Sequence, residues 1–319
     1  MKTLEQIVAQ HRDEWAARSL EQQRLEIENN EAVAKLYGLE DEIDSYVPLE
    51  RVSLTNNSAF RWPNKTQEER DALFAESAIV DLISYSVGCM FGRYSLDAPG
   101  LILCNQGATL EDYLAKVPAP TFAPDPDNVL PIVDGDWFED DIVARFRQFL
   151  RTAFGIQHFE ANLRFIERTI HVNDLRDYFV KSFYKDHKQR YKNRPIYWLF
   201  SSPKGSFNAL IYMHRYVPST VSTVLNEYLR EFVAKLEASL QHHERLALGN
   251  GTAREKAAAL KESDRLRKVL LELNAYEHDV LYPLASQQIA IDLDDGVKVN
   301  YPKFYPALQK IKGLEAAND

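Results

Sequence analysis

Eight basic side chains fall between residues 181 and 215, namely Lys181, Lys185, Lys188, Arg190, Lys192, Arg194, Lys204 and Arg215, against one acid, Asp186. This segment carries +7 in a chain whose net charge is −9, which leaves −16 on the other residues. A cationic patch opposed to an acidic whole is how a phosphate-contacting surface looks in sequence. Tyr184 and Tyr191 interleave the charges and are candidates for stacking on bases, a contact worth about 1–3 kcal/mol each. The run also reads as the solvated face of a helix whose other side holds Phe179, Phe183, Tyr184 and Tyr191. Two features favour the anion-facing reading. The cations lack the interleaved acids that give solvated helices their i, i+4 support. The run also ends at Arg194-Pro195, against a hairpin with Lys204 in its tip and Arg215 at its far end. Six phosphate contacts would give a salt slope of roughly −5. Lysine outnumbers arginine here and lacks the bidentate fork, so the expected mode is backbone positioning rather than base readout.

Other groups that could do chemistry are better explained structurally. Asp134, Asp136, Glu139, Asp140 and Asp141 could hold Mg²⁺ for a nuclease, since hard cations want carboxylate oxygens. Asp136 and Glu139, however, are expected to form a capping box, and acids in a first helical turn complement the dipole. Asp292, Asp294 and Asp295 place glycine fifth, where an EF-hand needs it sixth. His242-His243 lack HExxH spacing, and Ser201–Ser206 carries too little glycine for a phosphate-cradling loop. No two prolines are adjacent, so no [DNS]-P-P-[YF] motif exists, and no G-x-G-x-x-G follows a strand. We assign no catalytic residue, no metal and no cofactor to this chain.

Those candidates need elements to position them. Thr3 to Gln6 has capping-box form, and Leu4, Ile7, Val8, Trp15 and Leu25 form a stripe on a long opening helix that should close at Tyr37-Gly38. Residues 48–65 read as a loop with a short strand at 51–54, and Thr66 opens a helix ending near Gly88 or Gly92. Five prolines within residues 117–131 exclude helix and central strand, and mark a boundary near 125. Asp136 then caps a helix through Ile142, Val143, Phe146 and Phe149, and helical spacing continues from Phe159 to Phe183.

Residues 196–200 and 207–215 predict a β-hairpin, with half of Tyr197, Trp198, Phe200, Phe207 and Tyr212 in the core and half available for stacking. Two amphipathic stretches joined at Leu248-Gly-Asn-Gly251 predict an antiparallel helical hairpin over 221–282. Alternation around Asp295-Gly296 predicts a second, tight β-hairpin. The expected fold is α+β and mainly α-helical. A helical N-terminal subdomain, 1–125, would precede an α+β subdomain, 126–319, with the basic segment, the β-hairpin or small sheet, and the long helical hairpin.

At 319 residues and 45% hydrophobic content the chain can bury a substantial core. Cys89 and Cys104 are too few for a disulfide framework and suggest a reducing compartment. Residues 1–30 have no apolar leader, and the apolar runs fall short of a membrane span. The expectation is a cytoplasmic protein without a membrane partner.

Four strings carry a family resemblance: KLYGLEDEI (35–43), SVGCMFGRYSLD (86–97), DGDWFEDDI (134–142) and RPIYWLFSSPKGSFNALIYMHRY (194–216). Together they resemble the C-terminal region of the PglX family, the adenine-specific DNA methyltransferases of BREX phage-defence systems. The resemblance runs from about residue 20 to the end. Members of full length carry an N-terminal methyltransferase domain with S-adenosylmethionine and N-P-P-Y motifs, and no position here matches those. The chain thus looks like the C-terminal portion of such an enzyme, excised or encoded by a split gene, with no activity expected alone.

What the resemblance implies is a role beside the chemistry: holding double-stranded DNA while an adenine is flipped, at a cost of a few kcal/mol that protein contacts offset. Partners would be DNA, the missing methyltransferase portion and other BREX proteins. The alternatives are a protein-interaction module docking other defence subunits and a metal-dependent nuclease built on residues 134–141.

Overall fold

The computed structural model describes residues 2–315. It opens with α1 (Leu4–Tyr37), a short α2 (Ser58–Arg61) and α3 (Gln67–Met90). There follow α4 (Leu110–Lys116), strand β1 (Val129–Pro131), α5 (Ile142–Phe154) and α6 (Phe159–Thr169). The basic segment spans α7 (Leu175–Tyr178), a π-helical turn at Phe179–Phe183 and α8 (Tyr184–Arg190). Strands β2 (Tyr197–Ser201) and β3 (Asn208–Tyr212) come next, then α9 (Thr220–Thr223), α10 (Arg230–Leu248) and α11 (Ala253–Tyr276). The chain ends through α12 (Tyr282–Gln287) and α13 (Val297–Asn300). The fold is α+β and mainly helical, with a single three-stranded antiparallel sheet among the described residues.

Contacts divide the chain into two compact units, one of residues 1–84 with 150–173 and one of 85–149 with 174–319, the division falling inside α3 and α5. In the first, Thr3 caps α1 in a capping box with Gln6, and Gly38 closes it at φ 66°. Leu4 and Val8 are buried as the stripe requires, whereas Ile7 and Leu25 are exposed. Asn162 of α6 accepts the Leu4 N–H at 2.8 Å, and Arg12 pairs with Asp71 at 2.9 Å. No strand forms at 51–54. A 3₁₀ turn at Leu49–Arg51 takes its place because the Asn57 amide donates to the Leu49 and Val52 carbonyls, both at 2.8 Å, which a strand neighbour would otherwise satisfy. By length and composition α3 would suffice to cross a membrane, but Phe74, Ile79 and Ile83 on it are buried in protein.

The second unit is built on the sheet, in strand order β1-β3-β2. Pro131 is tolerated because β1 is an edge strand, and the proline-rich stretch 117–131 lies wholly inside this unit. Tyr197 pairs with Tyr212, Leu199 with Leu210 and Ser201 with Asn208, so these six share one face. Trp198 and Phe200 lie on the opposite face with Ile211 and Ala209, against Tyr301 and Phe304. Both faces are therefore covered. Tyr197, Trp198, Phe200, Phe207 and Tyr212 are all buried, and no half of them is left for stacking on bases. The outer edge of β2 is closed by the C-terminal segment: Ser201 N–H donates to Ala307 O at 2.9 Å and Gln309 N–H to Leu199 O at 2.8 Å.

Three further expectations change. The cap of α5 is Asp141, which accepts the Ala144 N–H at 2.7 Å; Asp136 instead pairs with Arg176. Helical continuity from Phe159 to Phe183 breaks at His171, with φ 58°, and restarts where Asp174 accepts the Arg176 N–H at 2.8 Å. No hairpin forms at Asp295-Gly296. Asp292 accepts the Asp294 N–H at 3.0 Å, and the Asn300 amide donates to the Gly296 and Asp292 carbonyls, so the segment coils into a 3₁₀ turn and α13 and buries Tyr301 and Phe304.

α10 and α11 form the expected antiparallel pair, with Thr252 and Glu255 as capping box and Leu266, Leu270 and Leu273 buried along the seam side of α11. From α11, the buried Glu272 carboxylate accepts hydrogen bonds from Ser202 Oγ (2.6 Å), Lys204 N–H (2.7 Å) and Ser206 Oγ (2.5 Å). One carboxylate thus grips the whole β2–β3 connection. On the other side of the sheet, His187 of α8 is buried and its Nε2 accepts the Tyr197 N–H at 3.2 Å, which fixes it as a neutral ring protonated at Nδ1. Burial holds its pKa down to about 3, with Arg190 and Arg93 adding to the effect.

Two outcomes follow from these contacts. Glu272→Ala leaves three donors without their acceptor and should destabilise the protein by about 2–3 kcal/mol in denaturant titration. His187 takes up a proton below about pH 6.5 when unfolded but resists it when folded, so its stabilising contribution is complete above pH 6.5 and lost as pH falls toward 3. His187→Gln should therefore flatten the acid side of the stability–pH curve, measured by thermal unfolding between pH 4 and 7.

Candidate nucleic-acid interface

The π-helical turn at Phe179–Phe183 adds a residue to the helical repeat, and Leu175, Tyr178, Phe179, Phe183, Tyr184 and His187 are all buried. What remains outward is set by spacing: Lys181, Lys185 and Lys188 recur at four and three and form one stripe. The stripe is one wall of a cleft of about 660 Å³. The hairpin tip brings Lys204 to it, and the C-terminal segment that closes β2 brings Lys310. Leu199, Ser201 and Asn208 of the shared sheet face also line it, and among the described residues no Asp or Glu does.

Five ammonium groups from three separate segments thus line one concavity. Among the described residues Lys181 pairs with Asp177 at 2.6 Å and Lys310 with Glu315 at 3.5 Å, while no ion pair joins Lys185, Lys188 or Lys204 to a carboxylate. Asp177 raises the Lys181 pKa. Lys188 lies 5.4 Å from the Tyr184 ring centroid, and partial burial lowers its pKa.

Not all of the sequence candidates gather here. Arg190, Lys192 and Arg194 are exposed at and beyond the end of α8, where Lys192 (φ 51°) and Asn193 (φ 59°) turn the chain away, and none of them lines the cleft. Arg215 is buried, its guanidinium donating to Asp125 O at 2.8 Å and Pro126 O at 3.2 Å; it braces the 125–126 backbone and is unavailable to DNA. Tyr184 is also buried, in the packing of α8, and is withdrawn as a stacking residue. Tyr191 is half-buried with its ring 4.8 Å from His187.

Lys310 was missed because nothing local marks it; it lies more than a hundred residues from the basic run. The acid run 134–141 is dispersed onto partners, Asp136 and Asp141 on Arg176 and Asp140 on the Tyr228 hydroxyl. Among the described residues no group of three His, Cys, Asp or Glu could hold a metal ion.

A buried acid group lies elsewhere in the same unit. Tyr228 Oη donates to Asp127 at 2.8 Å, and Asp125 accepts the Val129 N–H at 3.1 Å. Burial, with Asp127 beside it, pushes Asp125 up to about 8. Arg215, in the 3₁₀ turn after β3, holds the Asp125 and Pro126 carbonyls, and Tyr228, in the π-helical turn ahead of α10, holds Asp127, so the group fixes the approach to β1 and does not line the cleft.

No family model matches the chain. Two curated proteins are similar to it. The adenine-specific methyltransferase BrxX of Escherichia coli O9:H4 (strain HS) is 36% identical over 302 residues, covering 89% of this chain and 25% of that protein. The adenine-specific methyltransferase PglX of Lacticaseibacillus casei (strain Zhang) is 34% identical over 288 residues, covering 87% of this chain and 22% of that protein. Over most of its length, then, the chain matches one region, about a quarter of the whole, of the BrxX and PglX adenine-specific methyltransferases.

Proposed function

We propose that this chain is the DNA-contacting and scaffolding region of a BREX-type adenine-specific DNA methyltransferase in phage defence, C-terminal to the catalytic portion and without chemistry of its own. The observation that carries the reading is the convergence of Lys181, Lys185, Lys188, Lys204 and Lys310 on a cleft with no carboxylate side chain in its lining among the described residues. Lysine clusters of this kind suit phosphate oxygens, which position a duplex without reading its sequence. The likeness to BrxX and PglX supplies the reason for a duplex rather than another polyanion. S-adenosylmethionine and the N-P-P-Y motif would come from the methyltransferase portion, which together with duplex DNA and other BREX proteins makes up the partner set, in the cytoplasm.

A second reading, a module that docks other defence subunits, draws on the exposed Leu248, Leu260 and Leu271 of the helical hairpin. Fluorescence anisotropy with labelled duplex separates the two. On the DNA reading, the chain binds at low salt with a slope of roughly −4 to −5 for five contacts, independent of sequence. Lys185→Glu with Lys188→Glu and Lys204→Glu should remove most of the affinity, and Lys192→Glu with Arg194→Glu considerably less. Absence of binding at low salt would leave the docking reading.

The lowered Lys188 pKa also has a sign. Its charge is lost at lower pH than that of an exposed lysine, so affinity should fall as pH rises toward 10. Lys188→Arg, charged throughout, should flatten that fall in the same titration.

A further inference from the structure

Lys204 lines a second groove, of about 730 Å³, whose opposite side is α11. Lys261, Arg265 and Lys268 recur there at four and three, the same spacing as the lysines of α8, and Glu272 follows four residues later on the same stripe. Because Glu272 holds the backbone N–H of Lys204 at 2.7 Å, the shared lysine is fixed at the end of the α11 stripe. The acids in this groove are already engaged: Glu262 accepts from Arg265 at 2.6–3.0 Å, Asp264 from Arg267 at 2.9 Å, and Glu272 holds the hairpin tip. Lys261 and Lys268 are exposed and, among the described residues, in no ion pair with a carboxylate.

We infer that the α11 stripe is a second phosphate-contacting surface, continuous through Lys204 with the lysine cleft, so that the polyanion bound by the cleft crosses the hairpin tip and lies along α11 against Lys261 and Lys268. This rests on the DNA reading of the cleft and extends it to residues that the charge pattern of 181–215 does not include. Lys261 and Lys268 are seven helical steps apart, roughly 10 Å, room for two phosphates of one strand. Arg265 is tied to Glu262 through Nε and Nη2, which leaves the two lysines as the contacting charges.

The test is the salt dependence of binding to a 25-base-pair duplex by the full chain. With the two α11 lysines added to the five of the cleft the wild-type slope becomes roughly −6, and Lys261→Ala with Lys268→Ala should return it to the roughly −4 to −5 of the cleft alone, which lessens the loss of affinity between 50 and 200 mM salt by about tenfold. Lys35→Ala, at an exposed lysine of α1 that lines neither groove, serves as control and should leave the slope unchanged. Alanine favours helix, so circular dichroism should match the wild type; Lys261→Gln with Lys268→Gln repeats the test with longer side chains. An unchanged slope in both double variants, alongside a reduced slope in Lys185→Ala with Lys188→Ala, overturns the α11 surface and leaves the cleft standing. A wild type without salt-dependent binding overturns both.

Discussion

The unit that carries the lysine cleft depends on a three-stranded sheet buried on both faces. A sheet this deeply buried must pair its edge groups within the protein, because each unpaired buried N–H or carbonyl costs about 1–3 kcal/mol. On the β1 side a proline at the edge removes one donor. On the β2 side the C-terminal segment returns at 307–309 and pairs with Leu199 and Ser201. That return is what carries Lys310 beside Lys185 and Lys204. One end of the sheet is closed by Tyr197 and His187 under α8, and the other by Glu272 gripping the 202–206 connection. The cleft is the space left between these closures, and its charge follows from which side chains remain outside.

The cations of the basic segment are sorted by burial. Spacing alone puts Lys181, Lys185 and Lys188 on one face, since the opposite face is filled by Phe179, Phe183, Tyr184 and His187. Arg215, equal in charge, ends in the interior because its guanidinium fork satisfies two carbonyls at the start of β1. Arginine suits that work better than lysine, with planar, paired donors and weaker hydration. The lysines left on the surface are point charges on flexible stems, without the planar paired donors of arginine.

The acids show the same sorting. Three carboxylates that stand together in sequence at 136–141 are drawn to Arg176, Tyr228 and a helix cap. Asp125 is buried deeply enough to hold its proton near neutral pH, and Tyr228 and Arg215 hold that corner together. Glu272, on an otherwise apolar stretch of α11, serves the hairpin tip through three donors.

Caps, periodicity and turn residues settled much from the sequence by itself: α1 with its Thr3 and Gly38 ends, α3 opening at Thr66, the β2–β3 hairpin, and the α10–α11 pair. These depend on interactions within a few residues, which local pattern contains. The basic stripe on α8 was legible for the same reason. Tertiary contacts decided the rest. Asn57 and Asn300 capture backbone carbonyls and turn two expected strand regions into helical turns. Asp141 rather than Asp136 is the cap because α5 begins at Ile142, directly after it, and the buried Asp141 carboxylate reaches both the Ala144 N–H and Arg176. Whether Arg215 or Lys310 faces the cleft is fixed by which segments close the sheet, and those contacts join residues about a hundred positions apart. Charge and periodicity state what a side chain can do; burial, set by distant neighbours, decides which of them remain free to do it.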